Sequence, residues 1–488
     1  MSKWSGVILV IVFLCGCGVA QPIPFQDEIS VQEAKRLRPQ GLGYSVAVAP
    51  IRLIPPAISE EETSFWAVNP NTEELQKEMV TALKEVPVFA SVYEVTNESE
   101  AKRQGAELLL QITLSDFVGS YSGTNANFIP NLFIWGLFSP LAATFVADEN
   151  YRLKVQINAD LTSVKTSEKI WTKSFQIEQE FSLTDWQRSV SLWDFFITMP
   201  FVTSWNTEDV NAMILPHIVQ KLKAELVSRI LTDVPPPKRN IAVVVGVNDC
   251  GRSSAPVLKY AEKDASELAK LLENRGFDKT ILLLGNSATK TAIEDTLTNL
   301  SSRTDISINC LLFYFAGVST TRLSKDKLSC YQSLLPYSPE RTSDEIPLDA
   351  LTKMTETVPA TSRIVILDTG FFGKSGRTLI MEEIPASVKK EYISKIRNTE
   401  EIVFLVSCNA DESSYEFGKL EHGVFTYYLL QALTEKGDIN GDSVVTVEEA
   451  SKTVSWPTTR YVRDNLESAS QKPCAFGKAL EKQIIKLK

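Results

Sequence analysis

Three consecutive prolines in Val234-Pro235-Pro236-Pro237-Lys238 divide this chain. Each fixes φ near −65° and lacks the N–H that a continuing helix or central strand needs. A chain of 488 residues is also too long for one hydrophobic core. Two globular units are therefore expected, over 41–232 and 240–488, joined by a Pro-rich linker at 233–239. With 44% hydrophobic and 23% charged residues the composition is that of folded, globular chains.

In the first unit, Val46 and Val48 alternate as in a strand, and Leu75, Met79, Val80 and Leu83 mark one face of a helix. A second strand is expected near Val88 to Val95, a helix after Thr96 that stops at Gly105, and a third strand from Glu107 to Leu114. Leu153, Val155, Ile157, Ala159 and Leu161 alternate with polar neighbours, and a turn at Lys165 to Ser167 leads to a partner strand at Ile170 to Ile177. A helix from Glu208 to Leu231 closes this α+β unit. The segment 117–147 carries no charge and is crowded with Phe128, Phe133, Ile134 and Trp135. It reads either as a membrane or partner contact or as a buried insert; Pro130, Gly136 and Pro140 exclude an unbroken spanning helix. Through Val46-Ala47-Val48-Ala49-Pro50, the Gly105 to Leu109 strand entry and the later hairpin, the unit resembles the domains of the curli secretion lipoprotein, of lipoprotein activators of penicillin-binding proteins and of the N-terminal part of TolB. That resemblance implies an envelope binding or assembly role.

At the N-terminus, Lys3 precedes an apolar run from Val7 to Leu14 that is too short to span a bilayer, the pattern of a signal peptide over 1–17. Leu14-Cys15-Gly16-Cys17 resembles the lipobox of bacterial lipoproteins, which implies acylation of Cys17 and a stable membrane anchor. Gly18 in place of an aspartate resembles lipoproteins sent to the outer membrane. Residues 18–40, with Pro22, Pro24 and Pro39, read as a tether. A formal net charge of −10 gives no basic footprint, so no nucleic-acid partner is expected.

From Asn240 the pattern changes to alternating strands and helices. Ile241 to Val247, Ile281 to Leu284, Leu311 to Phe315, Ile364 to Leu367 and Ile402 to Val406 read as strands. Leu258, Ala261, Ala265, Leu268 and Leu272 form one helical stripe, and Ile293, Leu297 and Leu300 another. The fold class is α/β, a mostly parallel sheet flanked by helices, with ligands expected at the carboxyl ends of the strands. There the sequence resembles the caspase-like peptidases, in particular bacterial homologues related to metacaspases. The match runs from residue 240 to about 478, through Ile241 to Asn248, Ala261 to Ala265, Phe313-Tyr314-Phe315-Ala316-Gly317, Ile366 to Gly373, Gly423 to Thr426 and Gln471 to Pro473.

The resemblance places Val318 at the catalytic histidine and Gly370 at the catalytic cysteine, 52 residues apart (370 − 318). Neither can attack a carbonyl or protonate a leaving amine. The resemblance also places Asp264 and Asp368 where the family's acidic pocket takes a Lys or Arg side chain. They are either that pocket, with a basic peptide as partner, or structural carboxylates. His422 and Cys330, the latter in an expected polar loop, are the remaining candidates for relocated chemistry, while Cys310 and Cys408 read as core residues. No cysteine spacing fits zinc. Asp438, Asn440, Asp442 and Glu449 occupy positions one, three, five and twelve of an EF-hand-like loop, with Ser443 at the usual glycine; the segment is either a calcium site or a plain turn. Three functions follow as alternatives: an inactive caspase-like scaffold, a cysteine endopeptidase with displaced residues, or an envelope assembly factor acting through the first unit.

Overall fold

The computed structural model describes residues 36–487 apart from 37, 58–63, 87, 138–145, 185–206, 326, 328, 340–343, 371–374, 381–382 and 398. The signal peptide, Cys17 and most of the tether lie outside the described residues. The chain separates into two compact units, Met1–Pro237 and Lys238–Lys488, each with its own hydrophobic core.

The first unit is built on one twisted sheet. Strands β1 (Leu42–Val48), β2 (Arg52–Ile54) and β3 (Phe65–Ala67) are followed by helix α1 (Thr72–Glu85), β4 (Phe89–Glu94) and α2 (Glu98–Arg103). Then come β5 (Leu108–Thr124), α3 (Phe128–Leu137), β6 (Ala147–Ser163), β7 (Lys169–Thr184) and α4 (Thr207–Asp233). The sheet order is β4-β1-β5-β6-β7, with β2 and β3 also paired to β5. Asn71 caps α1 by accepting from the Glu73 and Glu74 amides, and the helix buries Leu75, Met79, Val80 and Leu83 as the periodicity predicts. Strand β5 runs ten residues past the expected end at Leu114. A register shift between Ser115 and Val118, with Asp116 at φ 48°, absorbs the irregular residues and lets pairing with β6 resume.

The uncharged segment is thus not one insert. Residues 117–124 belong to β5, Phe128–Leu137 is the short helix α3, and residues 138–145 are outside the described set. On α3, Ile129 and Phe133 are exposed by 58% and 60%, one helical turn apart. No described helix is long and apolar enough to cross a membrane.

The second unit begins with β8 (Lys238–Gly246), α5 (Ala261–Asn274), β9 (Lys279–Leu284), α6 (Lys290–Ser301) and β10 (Ser307–Ala316). It continues through β11 (Ser319–Leu323), β12 (Cys330–Leu334), β13 (Ile346–Pro347), α7 (Leu348–Thr357), β14 (Ala360–Asp368), β15 (Thr378–Ile380), α8 (Ala386–Arg397) and β16 (Val403–Val406). The last elements are β17 (Glu416–Phe417), β18 (His422–Gly423), α9 (Val424–Ala432), β19 (Val444–Thr446), α10 (Val447–Asn465), β20 (Cys474–Phe476) and β21 (Gln483–Lys486). The main sheet has order β20-β16-β14-β10-β8-β9, parallel throughout except for β20. The expected α/β class with a mostly parallel sheet is what the structure shows. β8, β10 and β14 are in register at their carboxyl ends, where Gly246 pairs with Ala316 and Ala316 with Asp368. A second, four-stranded sheet, β13-β12-β11-β15, lies beyond these ends in the chain path.

Candidate functional site

Strands β10 and β14 deliver positions 318 and 370 just past their ends, as the alternating pattern requires. Val318 is 1% exposed, and its carbonyl accepts the Leu335 amide at 3.0 Å. Gly370 donates its amide to the Arg377 carbonyl at 3.1 Å. Its own carbonyl accepts from Ser319 Oγ at 2.7 Å and Gln332 Nε2 at 2.8 Å. A Cβ on Gly370 would stand 1.7 Å from Thr378 Oγ1 and 3.0 Å from Thr378 Cβ. The place a nucleophile would occupy is therefore filled by a neighbouring side chain on β15, and glycine is required there by close approach.

Asp264 lies on the buried face of α5, in line with Ala261, Ala265 and Leu268, and Asp368 ends β14. Both are 0% exposed. Their space is taken by Arg377, also 0% exposed, which immediately precedes β15. Arg377 Nη2 is 2.8 Å from Asp264 Oδ2, and Nη1 is 2.9 Å from Asp368 Oδ2 and 3.2 Å from the Asp368 carbonyl. Glu416 Oε2 stands 3.5 Å from Nη2. The carboxylates have other donors too. Asp264 accepts from the Gly423 amide at 3.0 Å, and Asp368 accepts from Ser414 Oγ and Thr426 Oγ1, both at 2.6 Å. Since the Thr426 proton goes to Asp368, the Tyr314 hydroxyl, 2.6 Å away, donates to Thr426.

Burial sets the electrostatics here. It pushes the Asp368 pKa up, the Arg377 charge opposes that rise, and the Asp264 charge adds to it. Burial acts to discharge Arg377, but the charges of Asp368 and Asp264 outweigh it and hold the guanidinium protonated above its ordinary range. The Tyr314 hydroxyl is pushed well up by burial and by both aspartates.

The candidates for relocated chemistry sit elsewhere. His422 Nδ1 is 2.7 Å from Asp264 Oδ1 and Nε2 is 3.4 Å from Glu267 Oε2, so both ring nitrogens face carboxylates. Cys330 is not in a loop: it opens β12 and is buried, and burial pushes its thiol up to about 11. Burial likewise raises Cys310 to about 12 and lifts Cys250. Cys408 is 1% exposed, with Sγ 3.6 Å from the Thr369 carbonyl. A peptidase nucleophile needs its thiolate favoured, and burial acts the other way at Cys250, Cys310 and Cys330.

The Asp438 loop spends its oxygens on itself. Asp438 accepts the amides of Gly441, Asp442 and Ser443, and Asp442 accepts that of Val444. Asn440 pairs with Asp442. Glu449 accepts the amides of Ile439, Asn440 and Thr446 and completes a capping box with Thr446 at the start of α10. Gly441 at φ 77° and Ser443 at φ 64° take the left-handed conformations of the turn. Among the described residues no three His, Cys, Asp or Glu side chains converge as metal ligands.

The structure thus brings Asp264, Asp368 and His422 together at the strand ends with Val318 and Gly370, while Asp438, Asn440, Asp442 and Glu449 form a separate loop. Sequence reasoning missed Arg377, Thr378, Ser414, Glu416 and Tyr314. The resemblance pointed to Asp264 and Asp368, and Asp264 carries a second signal as an acid among Ala261, Ala265 and Leu268 on one helical face.

The family model described as the caspase domain, Peptidase_C14, matches residues 239–485. No curated protein matches the chain. Among solved structures, a structural-genomics protein of Geobacter sulfurreducens is 16% identical, covers 52% of this chain and 100% of its own, and superposes with a TM-score of 0.37. A Xanthomonas campestris protein of the DUF330 family is 12% identical, covers 39% of this chain and 85% of its own, with a TM-score of 0.22. Superpositions this partial transfer nothing to the chain.

Proposed function

We propose, from the premise that this chain belongs to the caspase-domain family, that its C-terminal unit is a non-catalytic member serving as a binding or scaffolding module on an anchored envelope protein. One observation carries this: the cysteine position is a glycine whose side-chain space is already filled by Thr378. Val318 at the histidine position and the raised thiol pKa values support the same reading. A peptidase with displaced residues is not favoured, because the nitrogens of His422 are engaged by Asp264 and Glu267 and burial raises the Cys330 thiol. The Asp438 loop forms a turn at the entry to α10 whose carboxylates accept its own amides.

The purified protein is expected not to turn over peptides bearing Arg, Lys or Asp before the scissile bond, with or without millimolar calcium. A thiol-directed probe supplies the control, because an activated cysteine labels faster as its thiolate fraction rises. Slow, unselective labelling is expected. Rapid labelling of Cys330 or Cys408, together with a cleavage activity lost in the matching alanine variant and in His422→Ala, would establish the peptidase reading instead. Calcium-dependent stabilisation abolished by Asp438→Ala with Glu449→Ala would make the loop a metal site.

The anchored location rests on Leu14 to Cys17 and the tether, with the first unit presented from the outer membrane toward the periplasm. Mass spectrometry of the mature protein is expected to find acylated Cys17 at the N-terminus, and Cys17→Ala to leave an unprocessed precursor. A mature terminus at any other residue would remove the anchor from this account.

A further inference from the structure

The antiparallel edge of the main sheet brings together two cysteines that are far apart in sequence. Val406 on β16 pairs with Cys474 on β20, so their side chains share a face, and Cys408 follows two residues later, where strand alternation returns to that face. The ladder with β14 continues past the end of β16, because the Ser407 amide donates to the Leu367 carbonyl at 2.9 Å. Cys408 and Cys474 both line one cavity of about 10 Å³, with Val406, Phe476 and, from α8, Ile393 and Ile396. That is room for about one water molecule. Polar bonds pin the two chain segments to each other. One Glu412 oxygen accepts the amides of Asn409 and Lys472 at 2.9 and 2.8 Å, and the other accepts Ser470 Oγ at 2.6 Å. Gln471 accepts the Tyr415 amide and donates to the Ser407 carbonyl, both at 3.1 Å. The residues on both sides of Cys408 are thus bonded to the residues just before Cys474. The two sulfurs differ in access, since Cys474 is half-buried and Cys408 is 1% exposed.

We propose that Cys408 and Cys474 are a dithiol–disulfide couple, oxidised by thiol–disulfide exchange with a disulfide-bearing oxidant. Cys474 is the entry thiol. Its thiolate attacks one sulfur of the oxidant's disulfide, which forms a mixed disulfide and releases the oxidant's other sulfur as a thiol. The Cys408 thiolate then attacks Cys474 Sγ, forms the Cys408–Cys474 bond and expels the second oxidant sulfur. Two electrons and two protons have passed from the pair to the oxidant, and a reducing dithiol reverses both steps. The bond closes a loop of 66 positions (474 − 408) that contains α9 and α10. It fastens β20, the edge strand, to the segment that carries Ser414, a donor to Asp368, and Cys408 itself lies 3.6 Å from the Thr369 carbonyl beside Gly370. The couple goes beyond the non-catalytic reading, and only its state in cells rests on the exported location.

The test begins with the reduced, folded full chain in a mixture of reduced and oxidised glutathione. Peptide mapping without reduction is expected to find one intramolecular disulfide, Cys408 to Cys474, with Cys250, Cys310 and Cys330 still thiols. Cys408→Ala should instead accumulate glutathione on Cys474, because no second thiol resolves the mixed disulfide. Cys474→Ala should take up little, because Cys408 is buried. Forming the bond is expected to raise the melting temperature of the C-terminal unit by about 6 °C, reversed by dithiothreitol, while the double alanine variant responds to neither reagent. The proposal fails if both cysteines stay thiols, or if each carries its own glutathione with no bond between them. It fails equally if the bond forms only after denaturant is added, or if it joins a different pair. Alkylation of thiols in intact cells before lysis is expected to find the pair already joined. A pair that joins in the purified chain yet is found reduced in cells would overturn the exported location and leave the couple standing.

Discussion

Replacing Arg377 with alanine, with no ligand added, is expected to lower the melting temperature of the C-terminal unit by about 10 °C. Removing one partner of a buried charge pair costs about 3–5 kcal/mol, because the remaining charge stays buried and uncompensated. For a unit of this size each kcal/mol moves the transition by about 2–4 °C. Here the loss leaves Asp264 and Asp368 facing each other, both fully buried, with neutral donors, the His422 ring and the Glu416 carboxylate around them. Burial already raises the Asp368 pKa, so the variant is expected to take up a proton there, which limits the damage without removing it. Thermal unfolding of the full chain followed by near-UV circular dichroism should separate the two units. An exposed pair such as Lys452–Glu448, with side chains 63% and 48% accessible, serves as the control and should change little on substitution. A shift under 2 °C for Arg377→Ala would mean that the guanidinium is not held between the aspartates.

Much of the architecture could be read from the sequence because it depends on local pattern. The apolar run from Ile241 to Val247 reads as a strand covered on both faces, and Ile241 to Gly246 is the fully buried part of β8, with Val247 just beyond its end. The stripe of Ala261, Ala265, Leu268 and Leu272 on α5 was legible for the same reason, whereas Leu258 precedes the helix and Asp264 was marked through the resemblance. What could not be read depends on polar groups buried in pairs. Gln332 and Ser333 make β12 look like a loop, yet both are 0% exposed; Gln332 Nε2 donates to the Gly370 carbonyl just past β14, while Gln332 Oε1 and Ser333 Oγ are buried without a hydrogen-bond partner among the described residues. That pairing hid both the strand and the burial of Cys330. Strand β5 was cut short at Leu114 because a bulge at Asp116 breaks the alternation without breaking the ladder. Arg377 had no signal at all. A single arginine in a polar stretch reads as a solvated charge, and only its ion pairs with Asp264 on α5 and Asp368 at the end of β14 make it a core residue.

Restoring the missing pair by Gly370→Cys with Val318→His is expected to yield neither activity nor a stable protein. Any side chain at 370 begins with a Cβ 1.7 Å from Thr378 Oγ1 and 3.3 Å from the Arg377 carbonyl, so β15 must move. Overpacking of this kind costs about 1–3 kcal/mol or more. Movement of β15 also loosens the Arg377 amide and carbonyl contacts that tie it to Ser414, Ser319 and Gly370. An imidazole at 318 would enter a site that is 1% exposed, adding polar atoms that need partners there. Adding Thr378→Ala to the pair should recover much of the stability, since it removes the Oγ1 that stands against Gly370. Peptides with a basic side chain should still go uncut, because Arg377 continues to hold the acidic pocket. Adding Arg377→Ala as well removes that occupant and is the combination in which slow cleavage after arginine is expected to be detectable. The ordering is the discriminating result, read from peptide turnover and thermal unfolding across the series. If Gly370→Cys with Val318→His alone cleaves such peptides, then Thr378 and Arg377 do not close the site, and the obstacle to catalysis is only the two absent side chains.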